Sequence, residues 1–231
     1  MNTFKHFIKR NSLKIVENMN NQFFNNIQII IKDPLPKHVN LNNVLQKLAE
    51  LVPERFFDGI DGLYIGKFGH LEKRNVTAVF DDGVLYVTSE QDNEEDFLDD
   101  CVHEICHAIE QNYGDVIYAD GKLDHEFIRK RQEVFQKMIE DGFESAKKFT
   151  KIFYNSEYNK KLDEFLYKDI GYDNLSVLTK DIFVNCYSMT SLQEYWASGL
   201  ERFFFGEGEK VGSLCPVLYK KIKQVTVLEN E

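Results

Sequence analysis

Residues 94–113 read EEDFLDDCVHEICHAIEQNY, a helical run whose apolar residues point in several directions at once. Asp92 or Asn93 stands where it can cap the helix, and Glu94, Glu95 and Asp96 put negative charge at its positive end. Phe97, Leu98, Cys101, Val102, Ile105, Cys106 and Ile109 cover most of the circumference, which predicts a buried helix continuing to about Tyr113. Polar groups taken into such a helix are costly without partners, so its histidines and glutamate call for a reason.

In His103-Glu104-Ile105-Cys106-His107 the two histidines are four residues apart. A helix stacks them one turn apart, where one cation reaches both imidazoles at about 2.0–2.1 Å. Glu104 lies one position further, off that coordination face, where its carboxylate can take a proton from an activated water as a general base. A random chain of this composition shows the pattern on the order of one time in a hundred, and placement on a buried helix makes chance rarer still.

A catalytic zinc site usually has three protein ligands and one open position. A third histidine six residues beyond His107 is excluded, because Tyr113 stands there and Glu110 replaces the glycine that the longer His-rich pattern requires. His125, Glu126, Glu133, Glu144, Glu194 and Glu201 remain, and position alone does not choose among them.

Upstream, 4–22 has helical periodicity, and Ile27 to Ile31 reads as a strand. Asn42 is placed to cap a helix through Leu51 that stops near Pro53, and Gly62 to Phe68 reads as a second strand. Val76 to Phe80 and Val84 to Ser89 are apolar runs joined by Asp81, Asp82 and Gly83, a hairpin signal. The first of these runs is the expected sheet edge, where an extended peptide would add, and Thr77→Pro with Val79→Pro would disturb it. Downstream, 115–180 reads as two or three helices, with Phe127, Val134, Phe135, Met138 and Ile139 on one stripe and Leu162, Phe165 and Leu166 on another. An irregular piece follows at Ile182 to Met189. A helix opens near Thr190 or Ser191 carrying Leu192, Tyr195, Trp196, Gly199, Leu200 and Phe203, and a last helix follows Pro216.

Tyr187-Ser-Met-Thr-Ser-Leu-Gln-Glu194-Tyr-Trp-Ala resembles the downstream motif of the anthrax lethal factor-like zinc peptidases, gluzincin-type zincins that include the small bacterial Pro-Pro endopeptidases. In that family a Tyr stands seven residues before a Glu followed by two aromatics and Ala, and here 194 − 187 = 7. His107-Ala108-Ile109-Glu110, Leu214-Cys215-Pro216 and Tyr219 extend the similarity, which covers roughly 60–112 and 182–220. The resemblance implies Glu194 as third zinc ligand and Tyr187 as donor to the oxyanion of the tetrahedral intermediate. Ser198 replaces a second Glu that the family often has, and the stretch between His107 and Glu194 is longer than in the small members. A residue orienting a ligand histidine would then come from elsewhere, with Asp99, Asp100 and Glu201 as candidates.

The 231 residues, 43% of them hydrophobic, suffice for one sizeable domain. The net charge of −10 argues against a phosphate-binding surface and so against nucleic acid as partner. Four cysteines are too few for a disulfide scaffold, and they are read as thiols, with Cys186–Cys215 the one pairing worth testing. No secretory apolar block and no membrane-length apolar run is visible, so the expected setting is soluble and, by default, cytoplasmic.

The expectation is therefore an α+β zincin-like domain over 1–231 with a small mixed sheet and a helical insertion at about 115–180. It would bind one Zn²⁺ through His103, His107 and Glu194, use Glu104 and Tyr187 in catalysis, and act on a peptide or protein. The alternatives are a catalytically inactive zinc-binding interaction module of the same fold and a delivered toxin or effector protease.

Overall fold

A computed structural model describes residues 22–228. The helix expected at 4–22 lies outside the described residues except for Gln22, which opens a strand. The described residues fall into two compact units that divide after Ala108.

The first unit is built on a mixed five-stranded sheet of β1 (Gln22–Phe24), β2 (Ile27–Ile31), β3 (Gly62–Gly66), β4 (Ala78–Asp81) and β5 (Val84–Thr88), in the order β1-β2-β3-β5-β4. β2, β3 and β5 run parallel, and an antiparallel hairpin partner flanks them on each side. The parallel centre explains the near-continuous apolar runs: Ile29, Ile30, Leu63, Ile65, Leu85 and Val87 are all buried. Both hairpins close through two residues of positive φ, Asn25-Asn26 and Asp82-Gly83, the pattern whose twist matches that of the strands.

Several boundaries differ from the sequence expectation. Asn40, not Asn42, caps α1 (Leu41–Leu51), its side chain accepting the Asn42 N–H at 3.0 Å. β3 stops at Gly66 because Asp33 Oδ2 takes the Lys67 N–H at 2.8 Å and the chain turns into α2 (Gly69–Arg74). β4 is the expected edge, shifted by one or two residues. Its phase also differs: Thr88 N–H donates to Thr77 O at 2.7 Å, so Thr77 and Val79 face β5, while Ala78 and Phe80 turn their backbone groups outward. Proline at Thr77 or Val79 would thus disturb the sheet rather than its free edge.

α3 (Glu94–Tyr118) crosses from this unit into the second. The second unit then comprises α4 (Lys122–Glu140), α5 (Thr150–Phe153), α6 (Lys160–Phe165), α7 (Tyr172–Thr179), α8 (Leu192–Phe204), α9 (Gly208–Leu214) and α10 (Pro216–Val227). The segment expected to hold two or three helices is more broken than that, with a 3₁₀ turn at Glu144–Phe149 and a π turn at Leu166–Ile170. Pro216 opens α10, as expected of a residue whose missing N–H costs nothing in a first turn.

Phe127, Val134, Met138, Phe153, Tyr195, Trp196, Leu200, Leu218 and Ile222 form the buried interior of this unit. Gly199 permits close packing of α8 on α10, since a Cβ there would sit 2.3 Å from Leu218 Cδ2. Irregular segments inside a helical unit leave carbonyls without helical partners, and buried cations supply them. Lys130 Nζ donates to Ile182 O at 2.6 Å and Leu214 O at 2.7 Å, and Arg131 donates to Asn155 O and, at 3.4 Å, to Thr190 O. All four cysteines are free thiols, so Cys186 and Cys215 do not pair. No helix among the described residues is long and apolar enough to cross a membrane.

Candidate metal centre

α3 begins as its sequence requires: Asn93, rather than Asp92, caps it, with Oδ1 accepting the Asp96 N–H at 2.8 Å. Glu94 receives the Asn40 N–H and the Asn43 amide, both at 3.1 Å, and so fastens the helix start to α1. The expected end at Tyr113 is instead a kink (φ −114°, ψ 16°), after which the helix runs on to Tyr118. Phe97, Leu98, Cys101, Val102, Ile105, Cys106, Ala108 and Ile109 are all buried, so the wide apolar coverage does hold the helix in an interior.

His103 and His107 remain half-buried on this helix, their ring centroids 5.0 Å apart. Glu104 is nearly covered, and its Oε2 accepts the outward-facing N–H of Phe80 on β4 at 2.6 Å. That contact orients the carboxylate, and it is a partner no sequence pattern identifies. Asp100, one turn before Glu104, receives Gln91 Nε2 at 2.9 Å and Thr77 Oγ1 at 2.8 Å. Burial pushes the Asp100 carboxyl upward against those two donors and the neighbouring charge of His103. Of the three residues considered for orienting a histidine, Asp99 is exposed, Asp100 lies in the electrostatic reach of His103, and Glu201 is buried beside Arg202 at 3.7 Å.

Downstream, Ser191 caps α8, its hydroxyl accepting the Glu194 N–H at 3.1 Å. Glu194 therefore sits in the first turn, half-buried, while Tyr195, Trp196, Ala197, Ser198, Gly199 and Leu200 are buried behind it. Tyr187 opens a short 3₁₀ turn (Tyr187–Met189) just before α8, and its carbonyl takes the Thr190 hydroxyl at 2.9 Å. Asn185 and Ser188 brace the same turn through Ser188 N–H to Asn185 Oδ1 at 2.8 Å. Burial above all, and then the charge of Glu194, push the Tyr187 phenol well above the ordinary tyrosine range, so it stays a protonated donor.

One ligand atom from each of His103, His107 and Glu194 lies within 4.8 Å of the others. Two imidazoles and a carboxylate are a donor set that suits zinc with a coordination position to spare. The other candidates are engaged elsewhere or lie at the surface. His125 and Glu133 are exposed, and Glu144 is exposed and pairs with Lys147. Glu126 accepts Tyr195 Oη at 2.9 Å and the Val217 and Leu218 N–H groups at 3.0 Å each, serving as the cap of α10.

Comparison of the chain with family models, with curated proteins and with solved structures finds no match.

Proposed function

We propose that the chain is a zinc-dependent endopeptidase with a zincin-like catalytic domain, similar to the anthrax lethal factor-like peptidases. On this reading residues 1–231 make one domain carrying a helical insertion at about 115–180, and the substrate is a peptide or protein. The observation that carries the proposal is the approach of His103, His107 and Glu194 ligand atoms to within 4.8 Å of one another. Two residues 87 positions apart (194 − 107 = 87) have no local reason to meet, whereas a common cation supplies one.

Zinc held by these three residues would supply Lewis-acid polarisation and lower the pKa of water. Glu104 takes the proton of the attacking water and returns it to the leaving amine. Its carboxylate is aimed for this by the Phe80 N–H at 2.6 Å, and such proton transfers contribute on the order of 10²–10⁴ in rate. Tyr187, kept protonated by burial, donates its hydroxyl to the developing oxyanion, an effect worth roughly 10²–10³ in turnover. The Phe80 N–H is taken by Glu104, so the outward backbone groups of Ala78 and the outward carbonyl of Phe80 on the edge strand β4 are what an extended peptide would pair with.

The test is digestion of a diverse peptide library by the native protein, with and without chelator, alongside Glu104→Gln. Chelator-sensitive cleavage that falls by about 10²–10⁴ in Glu104→Gln at unchanged zinc content is expected. Stoichiometric zinc with no Glu104-dependent turnover would replace this reading with that of a zinc-binding interaction module. Absence of zinc from carefully prepared protein, together with failure to take it up, would overturn both.

A further inference from the structure

The edge strand β4 is fastened to α3 at two points, each through a carboxylate. Phe80 N–H donates to Glu104 Oε2 at 2.6 Å, and the hydroxyl of Thr77, three residues earlier, donates to Asp100 Oδ1 at 2.8 Å. Asp100 and Glu104 stand one helical turn apart, on one face of α3. A single attachment would let the strand pivot about it, whereas two attachments fix where the strand lies along the helix. Ala78, whose N–H and C=O face outward, lies between them.

Asp100 is itself held by its second oxygen. Its Oδ2 accepts Gln91 Nε2 at 2.9 Å, and the same amide donates to the carbonyl of Thr88, the last residue of β5, at 3.2 Å. Thr88 N–H in turn donates to Thr77 O at 2.7 Å. Thr77, Asp100, Gln91 and Thr88 therefore close a ring of four hydrogen bonds that joins the start of β4, the end of β5 and α3. Gln91 is 5% exposed, so the ring is anchored in the interior although Thr77 stands at the surface. Both bonds to the carboxylate are of the charge-assisted kind, stronger than a bond between neutral groups. Each oxygen is engaged by strand or loop, and that is a different task from orienting a ligand histidine.

We propose that Asp100 is a positioning residue for the substrate: through Thr77 it holds the edge of β4 in a fixed place relative to Glu104, so that a peptide paired with Ala78 presents its backbone to that carboxylate. This inference rests on the endopeptidase reading above and deepens it, because substrate binding at the strand and proton transfer at the helix then share one frame. The two attachments divide the work. The Phe80 N–H keeps Glu104 aimed, so losing the Thr77 bond frees the Ala78 end of the strand and falls on peptide binding more than on turnover.

The experiment compares the native protein with Thr77→Val, Thr77→Ser, Asp100→Asn and the double variant Thr77→Val/Asp100→Asn on a peptide that the native protein cleaves. It measures kcat and KM separately, zinc affinity by chelator competition, and thermal unfolding. Peptide affinity is measured by fluorescence anisotropy in the Glu104→Gln background, where Gln keeps an acceptor for the Phe80 N–H. Thr77→Val should lower kcat/KM by about tenfold or more, chiefly through KM, at native zinc affinity, and Thr77→Ser should restore it. Asp100→Asn breaks the same bond from the helix side and should give the same split, with the double variant no worse than Asp100→Asn alone. Native KM and peptide affinity in both Thr77→Val and Asp100→Asn would overturn the inference and leave the endopeptidase standing. So would a zinc affinity lowered about 10–100-fold in Asp100→Asn with Thr77→Val fully active, since that pattern belongs to a residue orienting His103. A native protein that cleaves no peptide overturns the endopeptidase reading itself, and this inference with it.

Discussion

Glu126 offers a sharp test of how the helix bearing Glu194 is held in place. Its carboxylate is 5% exposed and accepts three donors: Tyr195 Oη at 2.9 Å, and the Val217 and Leu218 N–H groups at 3.0 Å. Tyr195 and Leu218 are fully buried, so Glu126→Ala leaves the Leu218 N–H without a partner and the Tyr195 hydroxyl with only the weak acceptor Cys215, each costing about 1–3 kcal/mol. Val217 is only half-buried, so its amide can recover a water and adds little. The substitution should destabilise the protein by about 2–6 kcal/mol, a large part of the roughly 5–15 kcal/mol typical of a folded protein. Glu126→Gln keeps an acceptor oxygen but presents an NH₂ to one donor, and should cost about 1–3 kcal/mol. Urea unfolding followed by tryptophan fluorescence is a direct assay, because Trp196, the chain's one tryptophan, adjoins Tyr195. A Glu126→Ala midpoint equal to that of the native protein, at equal slope, would refute the view that this carboxylate ties α4, α8 and α10 together.

Three further outcomes are expected. Glu194→Ala should weaken zinc binding by more than the roughly 10–100-fold that follows loss of an outer partner, measured by competition with a chromophoric chelator, while far-ultraviolet circular dichroism stays native. Gly199→Ala should cost about 1–3 kcal/mol in chemical denaturation, because the new methyl would lie 2.3 Å from a Leu218 side chain that is itself fully buried. Asp120 is held down to about 2, first by the Lys122 N–H and then by Lys221, whose buried ammonium lies 3.1 Å away. A carboxyl lowered on folding contributes stability that is complete above its unfolded value near 4 and is lost as pH falls through about 2. The stability gap between native protein and Asp120→Asn should therefore be constant above about pH 4 and close towards pH 2 in thermal melts.

Features with local causes were legible in the residues alone. The alternation of apolar runs with Asp82-Gly83 specifies a hairpin, because positive φ at two successive residues is a property of those residues and their neighbours. The four-residue spacing of His103 and His107 places both imidazoles one turn apart in any helix, and the apolar coverage of residues 97–109 makes that helix a buried one. Pro216 and Ser191 likewise mark their helix starts through their own backbone and side-chain chemistry. Features that depend on distant partners emerged only from the folded packing. The β1 strand was hidden because Gln22 to Phe24 acquires meaning only beside β2, and the phase of β4 was hidden because a one-residue shift exchanges its inward and outward amides. Among six candidate third ligands, side-chain type could not distinguish Glu194 from Glu126, since both are glutamates at helical positions. The fold turns one towards two histidines and gives the other three protein donors, and that difference comes from packing between segments the chain itself keeps far apart.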